Sequence, residues 1–498
     1  MSTPIQPIDH REETLDPQDW EQMRALLHQM IDDSIDYMQD LRGQAPWTPM
    51  GDNERAAFAK ATPPRSGIGS QATYQDYLEQ VQPYIMGNNH PKFWAWYMGN
   101  GSMMGAMADY LTAITNSNAG AGNHVGQHIE DQVISWMTDI IGYPDTASGM
   151  IVSGGSMANY VGLATARHHR CGYDIRQKGI LAGGRQLCVY GSTEVHNCNQ
   201  KAIELLGIGR EHFRKIPVNE DYTMDLNALK AQIQADKAAG LHPICVIASA
   251  GTVNTGAIDD LHAIADICED EGLWYHVDGA IGAIAMTSDI ARPQLTGIER
   301  SDSVALDLHK WLHIPFEAGC VLVRNRQVHR DTFVVSAEYL QENKRGLASG
   351  KHWYSEYGLQ LSRRLNALKI WMSIKEQGID KYGRLISQNI RQAHYLGELI
   401  HQHQSLQLMA PVGLDIVCYR YNPGGLTLDQ LNDINQYILA ELHVRGIAIP
   451  SYTTLRGSYC LRVAIANHRS LMSDFTELAH ATVSLGEEYM GNTPQQQQ

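Results

Sequence analysis

The chain has no pair of cysteines spaced for a metal or a redox motif. Its eight cysteines, at 171, 188, 198, 245, 268, 320, 418 and 460, are scattered and form no CxxC. That usage suits reduced thiols in a cytoplasm better than a disulfide framework or a zinc site. No apolar run is long enough to span a bilayer, and the polar, acidic N-terminal stretch has no apolar core of a signal peptide. Basic charge is in deficit, with 39 Lys and Arg against 54 Asp and Glu and a net charge of −15. Nucleic acid and anionic membranes both select basic patches, so neither is expected as a partner. No internal repeat is visible. What is there is an ordinary globular composition, 43% hydrophobic and 19% charged over 498 residues, enough for two or three domains.

Residues 18–41 read as an amphipathic helix, with Trp20, Met23, Leu26, Leu27, Met30, Ile31, Ile35 and Met38 mostly at three- and four-residue steps. Such an arm packs on the chain's own body or on a second subunit. Residues 46–66, with several prolines and charges, read as a connector. The densest aromatic cluster is His90-Pro91-Lys92-Phe93-Trp94-Ala95-Trp96-Tyr97, which core packing alone would explain. Helices at 103–114 and 129–141 then flank a small polar loop, 116–123.

From there short apolar runs at 149–152, 187–190, 243–248, 274–278 and 303–306 alternate with helical stretches at 157–168, 199–206 and 261–271. This alternation predicts a mostly parallel sheet covered on both faces. A long polar segment, 331–351, has the length of a functional loop. A helix near 359–376 bridges to a small α+β unit with strands at 414–421 and 459–466. The glutamine tail is low in complexity and expected to be disordered.

In open α/β sheets ligands bind beyond the carboxyl ends of the strands, and several of these strands end in reactive or permissive residues. Ser153-Gly154-Gly155-Ser156 turns a strand into a helix, where free N–H groups and close backbone approach suit an anion. His196 follows the next strand. Asp278 ends Trp274-Tyr275-His276-Val277-Asp278; a carboxylate there must be paired or hydrogen-bonded, although capping the next helix would also explain it. Lys310 sits between Leu308 and the pair Trp311-Leu312, surroundings in which desolvation disfavours the charged amine. A neutral amine can condense with an aldehyde. Most lysines at strand ends merely snorkel. Here an anion turn, a histidine able to stack, a buried acid and an apolar-flanked lysine follow one another along one sheet, and pyridoxal phosphate asks for that set.

His276-Val277-Asp278-Gly279-Ala280 followed by His309-Lys310-Trp311-Leu312 resembles the group II pyridoxal-phosphate-dependent amino acid decarboxylases, over nearly the whole chain. The resemblance implies fold type I, the aspartate aminotransferase-like α/β fold. It divides the chain into an N-terminal helical arm and dimerisation segment at 1–90, a large cofactor domain with a mostly parallel seven-stranded type of sheet at 91–375, a small α+β domain at 376–490 and a tail at 491–498. It implies that Lys310 binds the cofactor aldehyde, Asp278 pairs with the pyridine nitrogen, and His196 and Ala280 pack on the two ring faces. Gly155, Ser156 and His309 would hold the phosphate, and Thr252 would lie near the ring oxygen. Tyr339, in the long loop, would return a proton to the substrate α-carbon. A cytoplasmic homodimer with shared active sites is implied as well.

Two departures stand out: Asp307-Leu308 precedes His309-Lys310 where many members have Asn-Pro or Asp-Pro, and Gly279 and Ile281 replace alanine and an aromatic. Neither removes chemistry. Trp96, Tyr97 and Met98 are the expected substrate-side residues and favour a bulky or aromatic side chain. The polar loop 116–123 leaves other side chains open, while the lack of arginine in both segments weighs against acidic ones. The alternatives are an aldehyde-forming enzyme of the same family, against which Tyr339 argues, an acidic or other amino acid decarboxylase, an aminotransferase, and a cofactor-binding protein without turnover.

Overall fold

Strands buried on both faces read as unbroken apolar runs, and Trp274–Asp278 is the middle strand of a seven-stranded sheet. The order across that sheet is Ser148–Val152, Gly319–Val323, Ser303–Asp307, Trp274–Asp278, His242–Ser249, Leu187–Ser192 and Phe213–Ile216. All neighbours are parallel except Gly319–Val323, which runs antiparallel to both strands beside it. Ser148–Val152 therefore points the same way as the parallel strands. The carboxyl ends at Val152, Ser192, Ser249, Asp278 and Asp307 share one edge.

Two strands of this sheet escape the sequence pattern. Phe213–Ile216 is an edge strand whose middle residues, Arg214 and Lys215, are not buried, the usual protection of a sheet edge. Gly319–Val323 follows Ser303–Asp307 without an intervening helix, as an antiparallel return permits. Helix Gly155–Arg170 packs across the neighbouring strands on one face, and the five expected strands are otherwise found close to their predicted limits.

The computed structural model describes residues 13–60, 62–335, 345–350 and 353–492. It divides into two units, Met1–Met86 and Gly87–Gln498. In the first, Asp19 caps helix Trp20–Gln39 by accepting from the N–H groups of Glu21 and Gln22, and Tyr74 Oη donates to Asp33 at 2.8 Å. The expected connector at 46–66 contains a helix, Asp52–Lys60. Its acidic first turn and three alanines favour helix once Pro46 and Pro49 are past.

The second unit also holds a five-stranded sheet in the order Phe93–Trp94, Ile449–Leu455, Ser458–Ala464, Ile416–Tyr421, Leu406–Leu408. Phe93–Trp94 joins it in parallel, with Ile449 N–H donating to the Lys92 carbonyl at 2.9 Å. Phe93, Trp94 and Ala95 are thus core, as the composition suggests, but packed with the C-terminal sheet, whereas Trp96 is exposed and Tyr97 joins the core of the large sheet. That attachment brings the next residues, Trp96 and Tyr97, to the functional edge of the other sheet.

The bridging helix begins at Ala367, later than expected, because Arg363 and Arg364 are committed elsewhere. Arg363 is buried and donates to Glu130 Oε1 at 2.5 Å and to the carbonyls of Ala119 and Ile151 at 3.1 and 2.7 Å. Arg363→Ala would leave the Glu130 carboxylate buried and uncompensated, so it should cost about 3–5 kcal/mol. A denaturant midpoint unchanged by this substitution would contradict that reading.

Candidate active site

The edge where the parallel strands end opens into a cavity of about 460 Å³, within the usual range for a small-molecule site. Its floor is the turn after Val152. Gly155 begins the helix Gly155–Arg170, and its N–H donates to Asp307 Oδ1 at 2.5 Å. A Cβ on Gly155 would stand 2.6 Å from Asp307 Oδ2 and 3.1 Å from the Ala280 Cβ. Only glycine lets the helix N-terminus come this close. Ser156 lines the same floor.

Asp278 ends the middle strand and is buried, yet both its oxygens are engaged. Asn199 Nδ2 donates to Oδ2 at 2.7 Å and the Ala280 N–H to Oδ1 at 3.3 Å. Two strand residues earlier, His276 lies on the same face, bonded to Ser303 Oγ and Asn159 Oδ1, and burial pushes its pKa down to about 4. His196 lines the cavity and caps helix Asn197–Leu205, its Nδ1 accepting from the Cys198 N–H at 3.2 Å. The remaining ring proton is therefore on Nε2. Burial lowers its pKa, more than the Asp278 charge raises it, so the ring is neutral at physiological pH.

Lys310 lies in the loop between Ser303–Asp307 and Gly319–Val323, and Leu308, Trp311 and Leu312 around it are fully buried, as the sequence predicts. The amine itself has a polar neighbour. Nζ is 3.0 Å from Asp307 Oδ2, and 5.9 Å from the centroid of the Tyr97 ring. His309 accepts the Ala318 N–H on Nδ1 at 3.1 Å, which leaves Nε2 as the ring donor, 3.6 Å from Asp307 Oδ1.

Ten of the twelve residues that the sequence nominates line this one cavity: Lys310, Asp278, His196, Gly155, Ser156, Thr252, Ala280, His309, Trp96 and Tyr97. Met98 does not. It packs with Phe93, Ala95 and Ile449 instead, beyond the turn made by positive φ at Trp96 and Tyr97 (58° and 119°). Tyr339 lies outside the described residues. The loop 116–123 does not line the cavity within the chain; Asn118 Oδ1 accepts from the N–H groups of Gly120 and Arg363.

Among the lining or supporting residues not nominated, three bear directly on the polar groups of the site. Asn199 was detectable, three residues after His196 on the same helix. Asp307 was visible only as a departure before His309. Glu317, at the cavity mouth, carries no signal in the sequence.

The residues present fit pyridoxal phosphate. A lysine amine, a carboxylate held by two N–H donors, and an anion turn with Ser156 and the His309 Nε2–H converge on one cavity. Asn199 Oδ1 beside Asp278 is buried without a hydrogen-bond partner.

Comparison with known proteins agrees. Residues 56–422 match the pyridoxal-dependent decarboxylase conserved domain. The chain is 33% identical over 474 residues to an aromatic-L-amino-acid decarboxylase of Bacillus atrophaeus, covering 94% of this chain and 96% of that protein. It is 29% identical over 403 residues to an L-2,4-diaminobutyrate decarboxylase of Acinetobacter baumannii, covering 78% of each. Among solved structures it superposes on Oryza sativa TDC with PLP and tryptamine with a TM-score of 0.88 and 23% identity, covering 96% of this chain and 100% of that one. At that identity the likeness is one of fold. A family match over most of the length, and a relative of one-third identity over nearly all of it, place this chain in the pyridoxal-dependent decarboxylase family.

Proposed function

We propose that this decarboxylase acts on an L-amino acid with an aromatic side chain, releasing carbon dioxide and the corresponding amine. The carrying observation is the cavity wall. Trp96 and Tyr97 face the same space as Lys310 and Asp278, and no arginine stands among the described residues that line it. An acidic side chain would find no guanidinium there, whereas a flat apolar one finds two aromatic neighbours. Similarity to an aromatic-L-amino-acid decarboxylase supports the same substrate class.

Bound at Lys310, the cofactor supplies an electron sink for the pair left on Cα when carbon dioxide departs. The chain's own groups do the rest. Asp278 keeps a proton on the ring nitrogen, and its two N–H partners hold it in place. Neutral His196 and Ala280 offer flat or small contacts for the ring faces. Gly155, Ser156 and His309 would hold the phosphate, and Thr252 would serve the ring oxygen. Asp307, 3.0 Å from Nζ, is the hydrogen-bond acceptor for the Lys310 amine whenever that amine is free. Tyr339 returns a proton to Cα.

The test is product analysis. Cofactor-loaded protein is incubated with a panel of L-amino acids while carbon dioxide, amine, aldehyde and keto acid are measured. Amine and carbon dioxide in equal yield from an aromatic substrate support the reading; keto acid without carbon dioxide sinks it. Tyr339→Phe should lower amine formation by about 10²–10⁴-fold, the usual worth of a positioned proton donor, with the cofactor still bound. Unchanged amine yield would remove Tyr339 from the reaction.

Glu317 lines the cavity and favours a second reading, a short cationic side chain, which 2,4-diaminobutyrate in the panel tests. Assembly belongs to the proposal too. Helix Met103–Thr115 presents Met103, Tyr110, Leu111 and Ile114 to solvent, a stripe with spacings of seven (103 to 110), four (110 to 114) and three (111 to 114) residues. A second copy of the chain, sharing the active sites, would cover it; a monomeric mass in solution would count against this. No described helix is long and apolar enough to cross a membrane, and eight free, buried cysteines suit the cytoplasm proposed for it.

A further inference from the structure

Two consecutive residues on the cavity wall, Trp96 and Tyr97, hold positive φ without being glycine. Such conformations persist only where the surroundings over-determine them. Here the determining groups come from the C-terminal sheet. Tyr97 Oη donates to Asp415 Oδ2 at 2.7 Å, and Arg462 Nη1 donates to the Trp96 carbonyl at 3.0 Å. Arg462 Nε also donates to the Asn254 carbonyl at 3.2 Å, two residues beyond Thr252. One guanidinium thus grips both the Trp96 turn and the loop on the far side of the cavity.

Asp415 and Arg462 are buried, and neither is fully satisfied: Asp415 Oδ1 and Arg462 Nη2 have no hydrogen-bond partner. Burial pushes the Asp415 carboxyl up to about 7, against the opposing pull of Tyr97 and Arg462. Groups this costly to bury are poor choices for stability alone. Their effect is felt at Lys310. A Cβ on Gly99 would lie 1.9 Å from the His309 carbonyl oxygen and 2.4 Å from that of Lys310, so the Trp96–Gly99 backbone rests directly on the lysine's own loop. The Tyr97 ring stands edge-on to Trp311, centroids 6.2 Å apart at 87°, with its face toward Nζ.

We propose that Asp415 and Arg462 are positioning residues: from the C-terminal sheet they clamp the Trp96–Tyr97 turn against the Lys310 loop, fixing the Tyr97 ring beside the amine and Trp96 beside the substrate side chain. The proposal rests on the reading of Lys310 as the lysine that binds the cofactor. A ring face near a cation stabilises it. Releasing the ring should therefore lower the pH at which the nitrogen joining Lys310 to the cofactor loses its proton.

The test uses full-length, cofactor-loaded protein and follows the pH midpoint of the visible absorbance, together with KM and kcat. Asp415→Ala should lower the midpoint by a few tenths of a unit up to about one, the range a cation–π contact supplies. It should also raise KM about ten-fold, with a smaller change in kcat. Asp415→Asn keeps an oxygen for the Tyr97 hydroxyl and should bring both values back toward wild type. Should Asp415→Ala fail to fold, Tyr97→Phe with Asp415→Ala removes donor and acceptor together, leaves no orphan, and should show the same shifts.

Asp307, His309, His196, Asp278, Cys198 and Glu317, the charged and titratable groups about Nζ besides Tyr97, are the same in every variant. A folded alanine variant with wild-type midpoint and KM overturns the clamp. So does Asp415→Asn behaving like Asp415→Ala, which would assign the effect to charge. A wild-type protein whose visible absorbance does not depend on Lys310 would instead overturn the reading of the lysine.

Discussion

Lys310→Ala is expected to abolish the visible absorbance of the cofactor-loaded protein and to lower amine formation by at least about 10³-fold, as removal of a covalent-catalysis residue does. No other lysine lines the cavity among the described residues, so none is placed to substitute. The fold should survive, because among the described residues the recorded partners of Nζ are Asp307 and the Tyr97 ring face, while the packing of the loop depends on Leu308, Trp311 and Leu312. Trp311 is further anchored by Nε1 donating to Asn389 Oδ1 at 3.0 Å. Retention of the visible band in a folded Lys310→Ala protein would refute the assignment. Cofactor bound without covalent linkage should remain detectable, since the anion turn and Asp278 are untouched.

Asp278→Asn should lower kcat by about 10²–10⁴-fold, in the range of a lost proton-holding or charge-stabilising group. The native carboxylate accepts from Asn199 Nδ2 and from the Ala280 N–H. An amide in its place can satisfy one of those donors but cannot hold a proton on a ring nitrogen by charge. Its NH₂ would also meet Asn199, so the orientation would suffer as well. Steady-state kinetics with cofactor content measured on the same samples separate the two effects. An unchanged kcat at full occupancy would remove Asp278 from its proposed role.

Much of the large sheet is legible because its strands are buried on both faces and so appear as apolar runs between helices. Phe213–Ile216 is not legible, since an edge strand is protected by the very charges that hide it. The C-terminal sheet is only half visible: its outer strands are short, and one comes from residue 93, more than three hundred residues before its partner. In the site, residues placed just after strands are readable because that position alone brings them to the ligand edge. Met98 is nominated by resemblance along with its two neighbours, and in the fold it packs with Phe93, Ala95 and Ile449 instead of lining the cavity.

What the sequence by itself determined is the chemistry available: a lysine among apolar neighbours, an acid at a strand end, a glycine turn before a helix, and the family those motifs resemble. Residue type and strand position suffice for that, because a parallel sheet sends all its carboxyl ends to one edge. Tertiary structure alone decided which groups face Lys310. Asp307 turns back onto its own lysine, Asn199 reaches across to Asp278, and Asp415 holds Tyr97 from 318 residues away. The last of these depends on how two sheets are joined through Phe93–Trp94, and no local periodicity encodes a contact between distant segments.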